Sequence, residues 1–200
     1  PMSARRQRQM CIRDRIYTRW NQYQYTKKMI KHICATLLIA CNILSTPVSY
    51  ENKEQFITII KECAVEYNAY HSDPQVRVPV ALVVAVAGHE SGWGTSRFAT
   101  EGYNFFGIYA GPNAVDYMVP KENDKIKLVK FETICDGVYG FMELLSTDKR
   151  YADFQEVLMY QWFLDEIKFE ELVPLISSTY AEDPQWGNKV LNTIKSLDLK

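Results

Sequence analysis

Histidine is scarce in this 200-residue chain, and the three present, His32, His71 and His89, show no metal-ligand spacing. A metal site built on closely spaced imidazoles or thiolates is therefore not expected, and no cofactor is assigned. The five cysteines, at 11, 34, 41, 63 and 135, form no C-x-x-C pair, which removes the usual zinc and thiol–disulfide motifs. The apolar run from Ile33 to Leu44 is broken by Thr36 and Asn42 and is too short to span a bilayer. Neither an internal repeat nor a low-complexity tract occurs beyond the N-terminal region. Basic charge is missing from most of the chain. Residues 1–40 hold nine Lys or Arg and one acid, Asp14, leaving 14 basic and 23 acidic side chains, a net −9, for the remainder. A body that acidic is a poor partner for nucleic acid or an anionic membrane, so nucleic-acid binding is not expected.

What is present is apolar and aromatic: 47% hydrophobic and 13% aromatic residues exclude a disordered chain and suffice for one core. The N-terminus divides in two. Met29-Ile30-Lys31-His32 followed by Ile33–Leu44 has the form of a signal peptide over residues 29–49. Leu38-Ile39-Ala40-Cys41 resembles a bacterial lipobox, which would make Cys41 a lipid anchor and the one link to a membrane; cleavage before Tyr50 is the other exit. Residues 1–28, Arg- and Gln-rich and without apolar periodicity, are expected to be a non-native or disordered extension. Residues 50–200 then form the domain proper. Cys63 and Cys135 sit among apolar neighbours and are expected as buried free thiols, a disulfide being permitted but not required.

Helical spacing dominates from Glu51 onward. Phe56, Ile59, Ile60, Cys63, Tyr67 and Tyr70 mark one helix that Ser72-Asp73-Pro74 ends. Pro79 suits the first turn of a second helix through Ala81–Ala87 to Glu90, apolar nearly all round and hence buried. Residues 91–116, rich in Gly, Asn and aromatics, read as ordered loop. A hairpin follows, with strands at Asp116–Val119 and Ile126–Phe131 around a turn at Glu122-Asn123-Asp124. Thr133-Ile134-Cys135-Asp136 has the form of a capping box. Later helical faces are Ile134/Val138/Phe141/Met142/Leu145, Phe154/Val157/Leu158/Trp162, Phe169/Leu172/Val173/Ile176 and Val190/Leu191/Ile194/Leu197. The expected fold is mainly α, a helical domain with a small inserted β-hairpin lobe.

Glu90 is the residue on which chemistry is expected. It continues the stripe of Val83, Val86 and Ala87 to the end of the buried helix, where lost hydration disfavours the anion and raises a carboxyl pKa, as a general acid requires. The segment that follows, Glu90-Ser91-Gly92-Trp93-Gly94-Thr95-Ser96, matches the signature of the glucosaminidase family of peptidoglycan hydrolases (glycoside hydrolase family 73). Tyr103-Asn104-Phe105-Phe106-Gly107-Ile108, Arg150-Tyr151-Ala152 and Tyr180-Ala181-Glu182-Asp183-Pro184 resemble later family segments in the expected order, over residues 52–198. Val86, Gly88 and His89 depart from the family's usual residues before the acid.

The resemblance implies a lysozyme-like fold and hydrolysis of the β-1,4 bond following N-acetylglucosamine in peptidoglycan, by an exported envelope or periplasmic enzyme whose partner is the glycan strand. Glu90 would protonate the leaving oxygen. A second carboxylate is needed, and Pro120-Lys121-Glu122 resembles the hairpin segment that carries it in relatives; Glu122 is the choice, with Asp116, Asp124 and Glu132 in reserve. Tyr180 matches the family's active-site tyrosine, which would orient the N-acetyl group or stabilise developing charge. Trp93, Tyr103, Phe105 and Phe106 are candidates to stack on sugar rings, and Asn104, in the same segment, is placed with them. The rival readings are a muramidase or lytic transglycosylase acting on the same polymer, and a non-catalytic glycan-binding envelope protein.

Overall fold

The computed structural model describes residues 50–71, 73–111, 114–121 and 123–197. The expectations for residues 1–28 and 29–49, with Cys41, and for Glu122 lie outside the described residues. Helix α1 (Lys53–Tyr70) is capped by Asn52, whose side chain accepts the amide of Gln55, satisfying one of the donors every helix start leaves free. It ends where the sequence indicates, before a single 3-10 turn at Pro74–Val76. Helix α2 (Val80–Ser91) follows, with Pro79 at its N-cap, one place earlier than expected. Leu82 through Ala87 have no exposed surface, so this all-round apolar helix is the axis of the domain. It packs against α1 on one side and against the last helix, α7 (Trp186–Ser196), on another.

The segment expected to be loop contains a short helix, α3 (Arg97–Gly102), capped by Ser96. Its signal is the Ser96 cap alone, since six residues are too few to show a period. The hairpin is present but short: β1 (Tyr117–Met118) pairs antiparallel with β2 (Leu128–Val129), and Tyr109 adds a further bridge to Leu128. The longer strands expected at 116–119 and 126–131 do not form. The lobe is fastened to the helical body instead by single bonds. Arg97 donates to the Val119 carbonyl at 2.6 Å, the Phe131 amide donates to the Gly102 carbonyl at 2.9 Å, and Met118 packs against Gly102.

Helix α4 (Ile134–Thr147) starts at the anticipated capping box. Thr133 accepts the Asp136 amide and donates its hydroxyl to the Asp136 carboxylate at 2.8 Å. Its buried face is Ile134, Val138, Phe141, Met142 and Leu145, the residues the spacing selects. A 3-10 turn at Lys149–Tyr151 leads into α5 (Ala152–Phe163), then α6 (Phe169–Tyr180) and α7. Pro174 lies within α6; it has no amide hydrogen, so one helical bond there is forgone.

Cys63 of α1 and Cys135 of α4 form a disulfide, Cα–Cα 5.1 Å. This corrects the expectation of free thiols. Apolar surroundings describe a buried thiol and a buried disulfide equally well, and only the packing of α1 on α4 brings the two Cβ atoms into range.

Candidate active site

The segment after α2 is set by a left-handed turn. Gly92 (φ 59°, ψ 47°) ends the helix, and Trp93 (φ 58°) and Gly94 (φ 82°) continue in the same region. Glycine takes such values without strain; Trp93 does not. Ser91, 1% exposed, pins the turn: its hydroxyl donates to the Ala87 carbonyl and accepts the Gly94 amide at 2.7 Å. Tyr50 closes it from outside, donating to the Gly94 carbonyl at 2.6 Å. Glu90 is thereby held at the mouth of the helix.

The dehydration expected of Glu90 is not observed: its side chain is exposed. A helix apolar all round gives no stripe to extrapolate, and in its last turn Glu90 is exposed while Ser91 is buried. What the carboxylate has instead is a donor. The indole Nε1–H of Trp186, at the start of α7, donates to Glu90 Oε1 at 2.5 Å, across 96 residues of sequence. Trp186 is 2% exposed, and its ring lies 5.1 Å from that of Tyr180.

Tyr180, the last residue of α6, donates its hydroxyl to the Phe106 carbonyl. Burial first, then the negative charge of Glu90 and then Tyr151, push its pKa well above the ordinary phenol value, so it stays protonated at physiological pH. The influence of Glu90 on Tyr180 joins three elements, the ends of α2 and α6 and the start of α7, around one carboxylate. Beside them, Asp183 in the α6–α7 turn is held below the usual carboxylate range, chiefly by the Lys189 ammonium at 2.6 Å, with smaller help from the Gln185 amide and from His89.

The candidate sugar-stacking residues separate. Phe105 and Phe106 are 1% and 2% exposed, and Phe106 stacks face to face on Phe141 at 4.2 Å. Both are core residues, which leaves neither ring a face for the sugar stacking expected of them. Asn104 is likewise buried. Its amide donates to the Ile108 and Val129 carbonyls, both at 2.9 Å, and its oxygen accepts the Ile108 amide. It braces the loop against β2. Trp93 is half-buried, edge-on to Phe56 at 6.3 Å, with the Lys53 ammonium 3.9 Å over its ring. Tyr103, also half-buried, caps α3 with φ 49°. Asp116, Asp124 and Glu132 are exposed, on the hairpin lobe and just after it.

Among the described residues no group of three His, Cys, Asp or Glu is placed to hold a metal ion. An open depression on α1, lined by Glu51, Glu54, Gln55, Thr58 and Ile59, contains none of the residues above.

A family model described as mannosyl-glycoprotein endo-beta-N-acetylglucosaminidase, the glucosaminidase family, matches residues 66–199. The chain belongs to the glucosaminidase family. Among curated glucosaminidase relatives, the peptidoglycan hydrolase FlgJ of Salmonella typhimurium is 28% identical over 137 residues, 62% of this chain and 41% of that protein. The exo-glucosaminidase LytG of Bacillus subtilis is 22% identical over 184 residues, 82% of this chain and 60% of its own. The chain thus spans about two to three fifths of the relatives it matches. Among solved structures, the catalytic domain of the autolysin Auto from Listeria monocytogenes superimposes with a TM-score of 0.55 at 17% identity, covering 78% of this chain and 90% of that one. The glycoside hydrolase domain of Salmonella typhimurium FlgJ gives 0.54 at 20% identity, covering 74% and 89%. At these identities the structures establish a shared fold.

The family pattern brought Glu90 and Tyr180 forward from sequence. Trp186 was missed, although one signal was there: a tryptophan beginning a helix needs a partner for its N–H once buried.

Proposed function

We propose that this chain hydrolyses the β-1,4 bond following N-acetylglucosamine in peptidoglycan strands, with Glu90 as general acid. The observation that carries the reading is Glu90 itself, a carboxylate at the solvent-facing end of an otherwise buried helix, held by Trp186 and beside Tyr180. Family membership and relatives named as peptidoglycan hydrolases supply the substrate. Glu122, which falls between the two strands in the sequence, is the proposed second carboxylate. For Tyr180, the hydroxyl hydrogen is committed to Phe106, leaving an oxygen lone pair free to accept. That favours orienting the substrate, by accepting the acetamido N–H, over donating to developing negative charge. Tyr103 and Trp93 keep enough surface to meet a sugar ring. We further propose export, by the segment at 29–49, to the cell envelope; the Cys63–Cys135 disulfide supports an oxidising compartment.

The test is release of reducing ends from purified peptidoglycan by the protein and by Glu90→Gln. Loss of a general acid is expected to cost about 10²–10⁴ in rate, with N-acetylglucosamine at the new ends and an unchanged melting temperature. Anhydro-muramic ends would assign the chain to a lytic transglycosylase instead. Equal activity in the two proteins would remove Glu90 from the chemistry, and activity in neither would favour a glycan-binding role.

A further inference from the structure

Trp186 is held in a way that its position in the core alone does not require. Its N–H is a donor only, and a buried donor must find an acceptor. The acceptor it meets is the exposed carboxylate of Glu90. The tryptophan is itself packed and bonded in place. Its backbone amide donates to the Asp183 carbonyl at 3.0 Å, its ring lies against Tyr180, and the next residue, Gly187, approaches α6 so closely that a Cβ would stand 2.8 Å from Ser177 Oγ. A free glutamate samples many rotamers. One bond to a fixed ring removes most of that freedom.

The bond also distinguishes the two carboxyl oxygens. An indole N–H needs a lone pair and gives up no proton, so Oε1 acts as the acceptor in both the acid and the anion. The transferable proton then belongs on Oε2. We propose that Trp186 is a positioning residue for Glu90: it fixes one rotamer of the acid and reserves Oε2 for proton delivery. The assignment rests on the reading of Glu90 as general acid. In the step, the proton leaves Oε2 for the glycosidic oxygen as the C1–O bond breaks, and the bonding pair stays on that oxygen. Water then completes C1 and releases a proton. The carboxylate left behind is held by the indole, whose bond to an ionised acceptor is the stronger of the two states.

Trp186→Phe keeps the ring and removes the donor. With the full chain and a soluble, uncross-linked peptidoglycan oligosaccharide, kcat should fall about 10- to 100-fold, the scale of a misplaced reacting group, while KM moves little, because sugar binding is not touched. A cavity or packing defect without a role at Glu90 would leave kcat unchanged. If Trp186→Phe retains wild-type kcat while Glu90→Gln is inactive, the positioning role is wrong and the general acid stands. If both retain activity, the functional reading itself fails. A second measurement does not depend on folding of the Trp186 variant. The indole N–H resonance of Trp186, identified by its nuclear Overhauser contact with Tyr180, should move upfield in Glu90→Ala and exchange faster with solvent. An unmoved resonance would overturn the proposal.

Discussion

Gly88→Ala sets helix propensity against packing, and the structure decides the sign. In the interior of an exposed helix the change stabilises by about 0.8–1.0 kcal/mol. Here a Cβ at Gly88 would stand 2.5, 2.6 and 2.8 Å from three carbons of the Trp93 ring. That ring has little room to withdraw. Its backbone is fixed at positive φ, its edge meets Phe56, and Lys53 stands over its face. Overpacking a well-filled site costs about 1–3 kcal/mol, and a rigid aromatic neighbour places this case in the upper half. The net expectation is a loss of about 1–2 kcal/mol, or roughly 2–8 °C in melting temperature for a domain of this size. Urea denaturation followed by circular dichroism would read it directly. In a Trp93→Leu background the clash is relieved, so Gly88→Ala should there become neutral or stabilising, a sign reversal that a double-mutant cycle isolates. A Gly88→Ala protein as stable as the wild type would refute the argument that Gly88 exists to admit the Trp93 ring.

Removing the disulfide by Cys63→Ala/Cys135→Ala frees a loop spanning 72 residues, worth about 4 kcal/mol by chain entropy. The melting temperature should fall by roughly 8–16 °C, reductant should lower the wild type similarly and leave the double variant unmoved, and a drop of about 2 °C or less would contradict the estimate. Asp148 is held below the usual carboxylate range first by the side chain of Arg150, at 2.9 Å, with its backbone amide and charge adding to the effect. A depressed folded-state pKa contributes stability above the ordinary carboxylate pKa and loses it as pH falls through the folded value. The stability gap between wild type and Asp148→Asn should therefore be present at neutral pH and close below about pH 4; a gap independent of pH would show that the ion pair contributes nothing.

Sequence alone determined those features whose causes lie within a few residues of one another. The run Ala81–Ala87 makes a helix that must be buried on all sides, and the Thr133–Asp136 box starts α4 where it is read. The order of four short segments identifies the family and brings Glu90 and Tyr180 forward. The helix and its cap rest on short-range spacing that local sequence specifies, and the family rests on segments each legible by itself. Packing decided the rest. Whether Cys63 and Cys135 join depends on α1 meeting α4; whether Phe105 and Phe106 face sugar or core depends on Phe141 and Phe56 arriving from other helices. Glu90 is exposed while Ser91, beside it in the last turn of α2, is buried, a difference that no periodicity in α2 records. Its partner Trp186 lies 96 residues away, and the two meet only because α7 closes against α2. A hydrogen bond at that range is set by how helices stack, since nothing in either residue's neighbourhood specifies the other.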